Sequence, residues 1–99
     1  MKAPDECTNL QEIRTEIDRL DREVIAAFGQ RFAYVKAAAK FKNSEPEVKA
    51  PDRFAAMLQQ RREWAVEEGL NPNLIEQLYR DLVTHFIEEE MKQWQNKTD

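Results

Sequence analysis

Apolar residues recur at spacings of three and four along the first third of the chain. The repeating positions are Leu10, Ile13, Ile17, Leu20, Val24, Phe28, Phe32, Val35 and Phe41. This spacing is the period of an α-helix and predicts one helix over residues 8–42, with Thr8 and Gln11 forming a capping box at its start. A helix of about 33 residues spans roughly 50 Å. Because that length overshoots a small monomer, the stripe predicts a partner along most of the helix.

Two shorter helices are predicted after a loop at residues 43–50. The second helix begins at Pro51, which suits a first turn, and stops at Gly69. Asn71 caps the third helix, and the polar tail after Trp94 is expected to fray. Since no strand pattern is convincing, the sequence predicts an all-α fold of three helices: long, short and medium.

Composition narrows the class of protein. The 99 residues suit one domain, residues 1–99, and 34% charged residues with only two glycines favour helices. The formal net charge of −4 argues against general nucleic-acid binding and against a polybasic membrane patch. The lone Cys7 favours a reducing, cytoplasmic compartment. Residues 1–6 do not resemble a signal peptide, and no apolar run approaches membrane-spanning length, so no membrane partner is expected.

Few side chains are candidates for metal binding or catalysis. His85 is the single histidine and Cys7 the single cysteine, so no metal-ligand cluster is expected. His85 is interpreted as a partly buried or interface residue. No phosphate-binding glycine loop or nucleophile motif is present. Glu90 is different, because it lies four residues from both Phe86 and Trp94 and interrupts the apolar stripe of the third helix.

Three cations of the first helical stretch also need an explanation. Arg31 lies on the apolar stripe, where an unpaired charge is costly to bury. On a straight helix Arg31 and Lys42 fall within about 20° of one face and about 16 Å apart, so they could clamp a small anion. Arg14 lies about 25 Å from Arg31 on a different face. It could join the clamp only from a second, antiparallel copy, which predicts a dimer with shared anion sites.

Structural interpretations of the same residues stay open at this point. Arg14 could form an exposed ion pair with Asp18. Lys42 could be favoured simply because cations stabilise the carboxyl end of a helix. Arg31 and Glu90 could pair with each other in an interface, and their position makes a ligand an equal alternative.

Several segments resemble the all-helical chorismate mutase family. The residues that carry the resemblance are Leu10–Arg14, Ile17–Asp21, Gln30–Arg31, Val35–Lys36 and Lys42. Within the family, the match is closest to its salicylate-forming branch, the isochorismate-pyruvate lyases of siderophore biosynthesis. That closer match rests on Tyr34–Ala38, Phe41–Lys42, Ser44–Glu45, Ala50–Pro51, Arg53, Ala55–Leu58 and Trp64–Ala65. These segments extend over essentially the whole chain.

The resemblance implies an intertwined homodimer with two equivalent sites. In each site Arg31 and Lys42 of one chain, with Arg14 of the other, would hold the two carboxylates of isochorismate. The implied reaction is pericyclic: a hydrogen moves to the enolpyruvyl group as the ether C–O bond breaks, giving salicylate and pyruvate. A weak rearrangement of chorismate to prephenate is also implied. Neither reaction needs a cofactor or a metal, and Lys42 would place positive charge near the ether oxygen.

Two positions depart from the family pattern. Mutases of the family carry a carboxylate early in the second helix that binds the ring hydroxyl of chorismate, and the matching position here is Phe54. The apolar ring favours the lyase interpretation, although Asp52 lies nearby. Glu90 stands where the lyases usually have a glutamine that donates to the ether oxygen. A glutamate donates a hydrogen bond only when it is protonated, so turnover is expected to fall as pH rises.

Two other functions remain as alternatives. One is a plain chorismate mutase with the same fold. The other is a non-catalytic helical dimer, in which Arg31 and Glu90 would form a structural ion pair. Substrate binding and activity measurements separate these alternatives.

Overall fold

The regular elements are helical throughout the part of the chain that the computed structural model describes, residues 1–98. A 3-10 turn at Pro4–Glu6 precedes α1 at Leu10–Ala38, and a second 3-10 turn follows at Ala39–Phe41. The chain continues with α2 at Glu45–Lys49, α3 at Pro51–Glu67 and α4 at Pro72–Thr98. The predicted all-α fold is confirmed. Within the described part, no helix combines the length and apolar character needed to cross a membrane.

Three predicted boundaries are wrong. The first α-helix ends at Ala38, and Lys42 already has extended backbone with φ −91° and ψ 137°. The predicted loop at residues 43–50 contains α2, whose first turn holds a proline and acidic residues, both favoured at that position. The tail does not fray at Trp94, because α4 continues to Thr98 and its 27 residues nearly match the 29 of α1.

The start of α1 is capped one residue later than predicted. The Asn9 side-chain oxygen accepts a hydrogen bond from the Glu12 backbone N–H at 2.9 Å, so Asn9 and not Thr8 is the N-cap. Glu12, rather than Gln11, reaches back and accepts a hydrogen bond from the Thr8 N–H at 3.0 Å. The predicted capping box is therefore replaced by a cap at Asn9, and the Glu12 carboxylate reaches past the cap to the N–H of the preceding residue, Thr8.

The α3–α4 connection follows the prediction. Gly69 takes the left-handed conformation with φ 75°, and the Leu70 N–H donates to the Ala65 carbonyl at 2.8 Å, which closes α3 in a Schellman motif. The Asn71 side-chain oxygen then accepts the Asn73 N–H at 2.8 Å and caps α4. Both turn signals in the sequence are confirmed.

The chain divides into two compact units, Met1–Ala33 and Tyr34–Asp99. In the first unit, α1 contributes no buried residue, and its apolar stripe remains about half exposed in the single chain. Ile17 and Leu20 are each 50% exposed and Val24 is 48% exposed. A single chain therefore leaves the stripe on α1 largely without cover. The prediction of a single domain stays a prediction.

The second unit has the apolar core. Met57 and Leu58 of α3 are buried against Val83 of α4. Partly buried apolar side chains close the rim of this cluster: Phe54, Tyr79 and Ile87. Val48 of α2 is 2% exposed, so even the one-turn helix contributes a buried side chain.

Glu76 of α4 binds two guanidinium groups, and the one on Arg62 connects α4 to α3. Its carboxylate accepts hydrogen bonds from Arg80 and from Arg62 of α3, each at 3.0 Å. The Arg80 hydrogen bond, followed by that from Arg62, holds the pKa of Glu76 below its ordinary value, while desolvation opposes the shift. A lowered pKa in the folded state means that the stabilisation is present at neutral pH and is lost as pH falls through that pKa.

We expect Glu76→Gln to lower the Tm at pH 7 and to weaken the loss of stability on acidification below about pH 4. The measurement is thermal unfolding followed by circular dichroism between pH 2.5 and 7. Glu63→Gln removes the same charge from an exposed position of α3 and serves as the control. Identical pH profiles for the two variants would contradict a role for Glu76 in joining the helices.

Candidate active site

Lys42 lies at the point where helical structure stops. The 3-10 turn ends at Phe41, and the Lys42 N–H makes a long hydrogen bond to the Ala39 carbonyl at 3.3 Å. The residue then turns into extended backbone, so its carbonyl is no longer an acceptor for the helix. This local break brings the backbone of Lys42 against α4.

The side chain of Lys42 is held by two oxygen atoms. Its ammonium lies 3.2 Å from Glu90 Oε2, and it donates a hydrogen bond to the Glu47 carbonyl at 3.0 Å. The Lys42 side chain is 25% exposed, whereas that of Glu90 is 7% exposed. The prediction that Glu90 interrupts a buried stripe is therefore confirmed, and its charge partner in this unit is Lys42.

The Glu90 carboxylate retains hydrogen-bonding capacity. Its Oε2 atom is buried and, among the residues that the structure describes, no donor reaches it with hydrogen-bond geometry. The 3.2 Å contact with Lys42 is therefore an electrostatic attraction and not a well-directed hydrogen bond. An acceptor in this state could receive a hydrogen bond from a donor group of a ligand.

Two residues that hold Lys42 beside Glu90 are not indicated by the sequence pattern. Trp94 was interpreted only as a member of the apolar stripe, but its indole N–H donates to the Lys42 carbonyl at 3.0 Å. Glu47 supplies its carbonyl to Lys42, and its carboxylate accepts the Asn43 N–H. The signal for Trp94 was its spacing of four residues from Glu90, which places both side chains on one face of α4. A backbone acceptor such as that of Glu47 leaves no mark in a sequence.

The two arginines of the predicted clamp both lie on α1. Arg14 is exposed and Arg31 is half-buried. Within the described residues, no ion pair joins Arg14 to Asp18, so that structural interpretation is wrong for the single chain. The assumed straight helix between Arg31 and Lys42 is also wrong, because α1 ends at Ala38. The anion clamp itself and an Arg31–Glu90 pair both stay predictions.

The remaining candidate residues are Phe54, Asp52 and His85. Phe54 packs beside the Met57 cluster, with the Arg80 guanidinium 5.9 Å from its ring centroid. Asp52 and His85 are exposed in the single chain, and the interpretation of His85 as an interface residue stays a prediction. Among residues 1–98, no group of three or more histidine, cysteine or acidic side chains is placed to hold a metal ion.

Comparisons with known proteins place these residues in a family context. The family model "Chorismate mutase type II" matches residues 13–91. The chain is 46% identical over 94 residues to the isochorismate pyruvate lyase of Pseudomonas aeruginosa, and the alignment covers 95% of this chain and 93% of that protein. It is also 42% identical over 72 residues to the T-protein of Haemophilus influenzae, an alignment that covers 72% of this chain and 19% of that protein.

Proposed function

We propose that this chain, which belongs to the chorismate mutase type II family, converts isochorismate to salicylate and pyruvate. The observation that carries the proposal is the 46% identity, over 95% of the chain, to a protein named isochorismate pyruvate lyase. In the reaction a hydrogen leaves the ring for the enolpyruvyl group as the ether C–O bond breaks. All atoms of the substrate are found in the two products, so no co-reactant is consumed.

The chemistry assigned to Lys42 is electrostatic. Negative charge builds on the ether oxygen as the C–O bond breaks, and an ammonium group in a poorly hydrated place stabilises it. Support comes from the surroundings of Lys42, whose side chain is three-quarters covered and is oriented by Glu47 and Glu90. A charge that is already in position avoids the cost of reorganisation during the reaction.

Substrate binding is assigned to Arg14 and Arg31 together with Lys42. The substrate is a dicarboxylate, and guanidinium groups bind carboxylates through paired hydrogen bonds. We assign Arg14 to the second chain of an intertwined homodimer, as the likeness to the family implies. The half-exposed apolar stripe of α1 supports this assembly, since a second copy would cover it.

Chorismate mutase activity is the second candidate function, because the matching family model is that of a mutase and covers residues 13–91. We propose that this chain rearranges chorismate to prephenate weakly, and that Phe54 disfavours chorismate as the preferred substrate. Specificity constants for isochorismate and chorismate, measured on one preparation, decide between the two activities. Efficient prephenate formation without salicylate would establish a plain mutase, and no turnover of either substrate would favour a non-catalytic dimer.

We expect Lys42→Ala to lower kcat for salicylate formation by about 100-fold or more, because it removes the charge at the ether oxygen. The measurement is the fluorescence of salicylate released from isochorismate. Lys49→Ala is the matched control, because Lys49 forms only an exposed i,i+4 ion pair with Glu45. The Lys49 variant is expected to keep near-normal turnover. A normal rate for the Lys42 variant would contradict the electrostatic mechanism.

The role proposed for Glu90 predicts that kcat depends on pH. A protonated Glu90 donates a hydrogen bond to the ether oxygen and an ionised one does not, so kcat is expected to fall as pH rises. Glu90→Gln carries an amide donor at every pH, and its kcat profile is expected to be flatter. The measurement is kcat at saturating isochorismate from pH 5 to 9. An unchanged kcat profile in the variant would contradict the proposal that Glu90 donates a proton in a hydrogen bond to the ether oxygen.

Shared sites predict recovery of activity on mixing two inactive variants. Arg14→Ala and Arg31→Ala are each expected to lose most activity through the loss of carboxylate binding. A mixed dimer keeps one site with both arginines intact, so unfolding and refolding the two variants together is expected to restore about a quarter of the wild-type activity. Refolding each variant alone is the control. Sites built within one chain would give no recovery.

A further inference from the structure

Helix α4 holds Lys42 at two separate points. The Glu90 carboxylate lies 3.2 Å from the ammonium, and one turn later the Trp94 indole N–H donates to the carbonyl of the same lysine at 3.0 Å. Residues four apart lie on one face of a helix, so a single face of α4 contacts both ends of Lys42. The two contacts restrain different degrees of freedom, the side chain in one case and the backbone in the other.

The backbone contact acts on a residue that lies just beyond the end of the helical structure. Lys42 follows the end of a 3-10 turn, its own N–H makes only a 3.3 Å hydrogen bond, and its φ and ψ angles are extended. The ammonium lies at the end of a four-carbon stem, so for a given set of side-chain torsions a rotation of the Lys42 backbone moves the ammonium farther than it moves the Cα atom. The indole hydrogen bond connects this backbone to a position 52 residues away, on a helix of 27 residues.

We infer that Trp94 is a positioning residue, whose indole N–H fixes the backbone of Lys42 and thereby sets the place of its ammonium. This inference rests on the proposed function, in which that ammonium acts on the substrate. Trp94 itself does not touch the reacting atoms. Its contribution is the hydrogen bond, and the buried area of its ring stabilises the fold separately.

Trp94→Phe removes the N–H and keeps an aromatic ring in place. We expect kcat for salicylate formation to fall about tenfold, the rate equivalent of one neutral hydrogen bond, with KM changed by less than about twofold. Trp64→Phe is the matched control. Trp64 lies on α3 with its ring under the Arg61 guanidinium at 4.6 Å, so that variant also exchanges an indole for a phenyl ring.

A double-mutant cycle separates positioning from general stabilisation. If Trp94 acts through Lys42, Trp94→Phe in the Lys42→Ala background changes the residual rate by less than about twofold. A loss of equal size in both backgrounds would overturn the inference, because it would show that Trp94 acts independently of Lys42. Unchanged kcat in the single variant would overturn it as well.

Chemical labelling tests the position of Lys42 without any substrate. Brief acetylation with acetic anhydride, followed by peptide mass spectrometry, reports the accessibility of each lysine. Lys42 is 25% exposed, whereas Lys49 and Lys92 are 59% and 70% exposed and serve as internal references. We expect Trp94→Phe to raise acetylation of Lys42 several-fold, with the references unchanged. No change at Lys42 would overturn the inference.

The inference stays testable if Trp94→Phe does not fold and if the wild type is inactive. If Trp94→Phe does not fold, the chain of 99 residues is made by peptide ligation with benzothienylalanine at position 94. That residue has the shape of tryptophan and carries sulfur in place of N–H, so the same fall in kcat and rise in acetylation are expected. If the wild type forms no salicylate, the proposed function fails, and the acetylation result alone then supports or overturns the positioning of Lys42 by Trp94.

Discussion

The contact between Lys42 and α4 is the constraint on which the architecture of the second unit depends. A buried carboxylate needs a cation or a donor beside it, and Glu90 obtains its cation from a residue far away in the sequence. A continued α-helix would carry Lys42 onward along its own axis, whereas the stop of helical structure at Phe41 goes together with a Lys42 ammonium that lies 3.2 Å from Glu90. The 3-10 turn, the extended lysine and the short helix α2 together form the path by which the chain turns back to α4.

Much of the fold could be predicted from the sequence because its signals are local. Gly69 and Asn71 end one helix and begin the next through backbone hydrogen bonds of their immediate neighbours, and such turn chemistry depends on few residues. Apolar spacing located the long helices for the same reason. The predicted loop at residues 43–50 was wrong because α2 has only five residues, which are too few to show a helical period. Its buried side chain, Val48, also depends on tertiary contacts that a short window does not contain.

The site was less predictable for a related reason. Spacing singled out Glu90 correctly, since a charge within an apolar stripe requires a partner. It assumed that α1 ran straight to Lys42, however, and the partner that the structure shows comes after a break in that helix. Trp94 matched the apolar pattern, and its N–H left no further signal. A stripe pattern records which side chains are buried, and it does not record which polar atom of a buried side chain finds an acceptor.

Two roles are proposed for the Glu90 carboxyl group, and they require different protonation states. An ionised Glu90 attracts the Lys42 ammonium, whereas a protonated Glu90 donates a hydrogen bond, and one carboxyl group does not perform both tasks at once. In the proposed function, bound isochorismate would bring two carboxylates, whose negative charge would compensate Lys42 in place of Glu90. The lysine would lose its position at that moment if Glu90 alone held it. The Glu47 carbonyl and the Trp94 indole are uncharged partners whose contacts do not change with protonation. In the proposed function, these two contacts would keep Lys42 in place whichever form Glu90 takes.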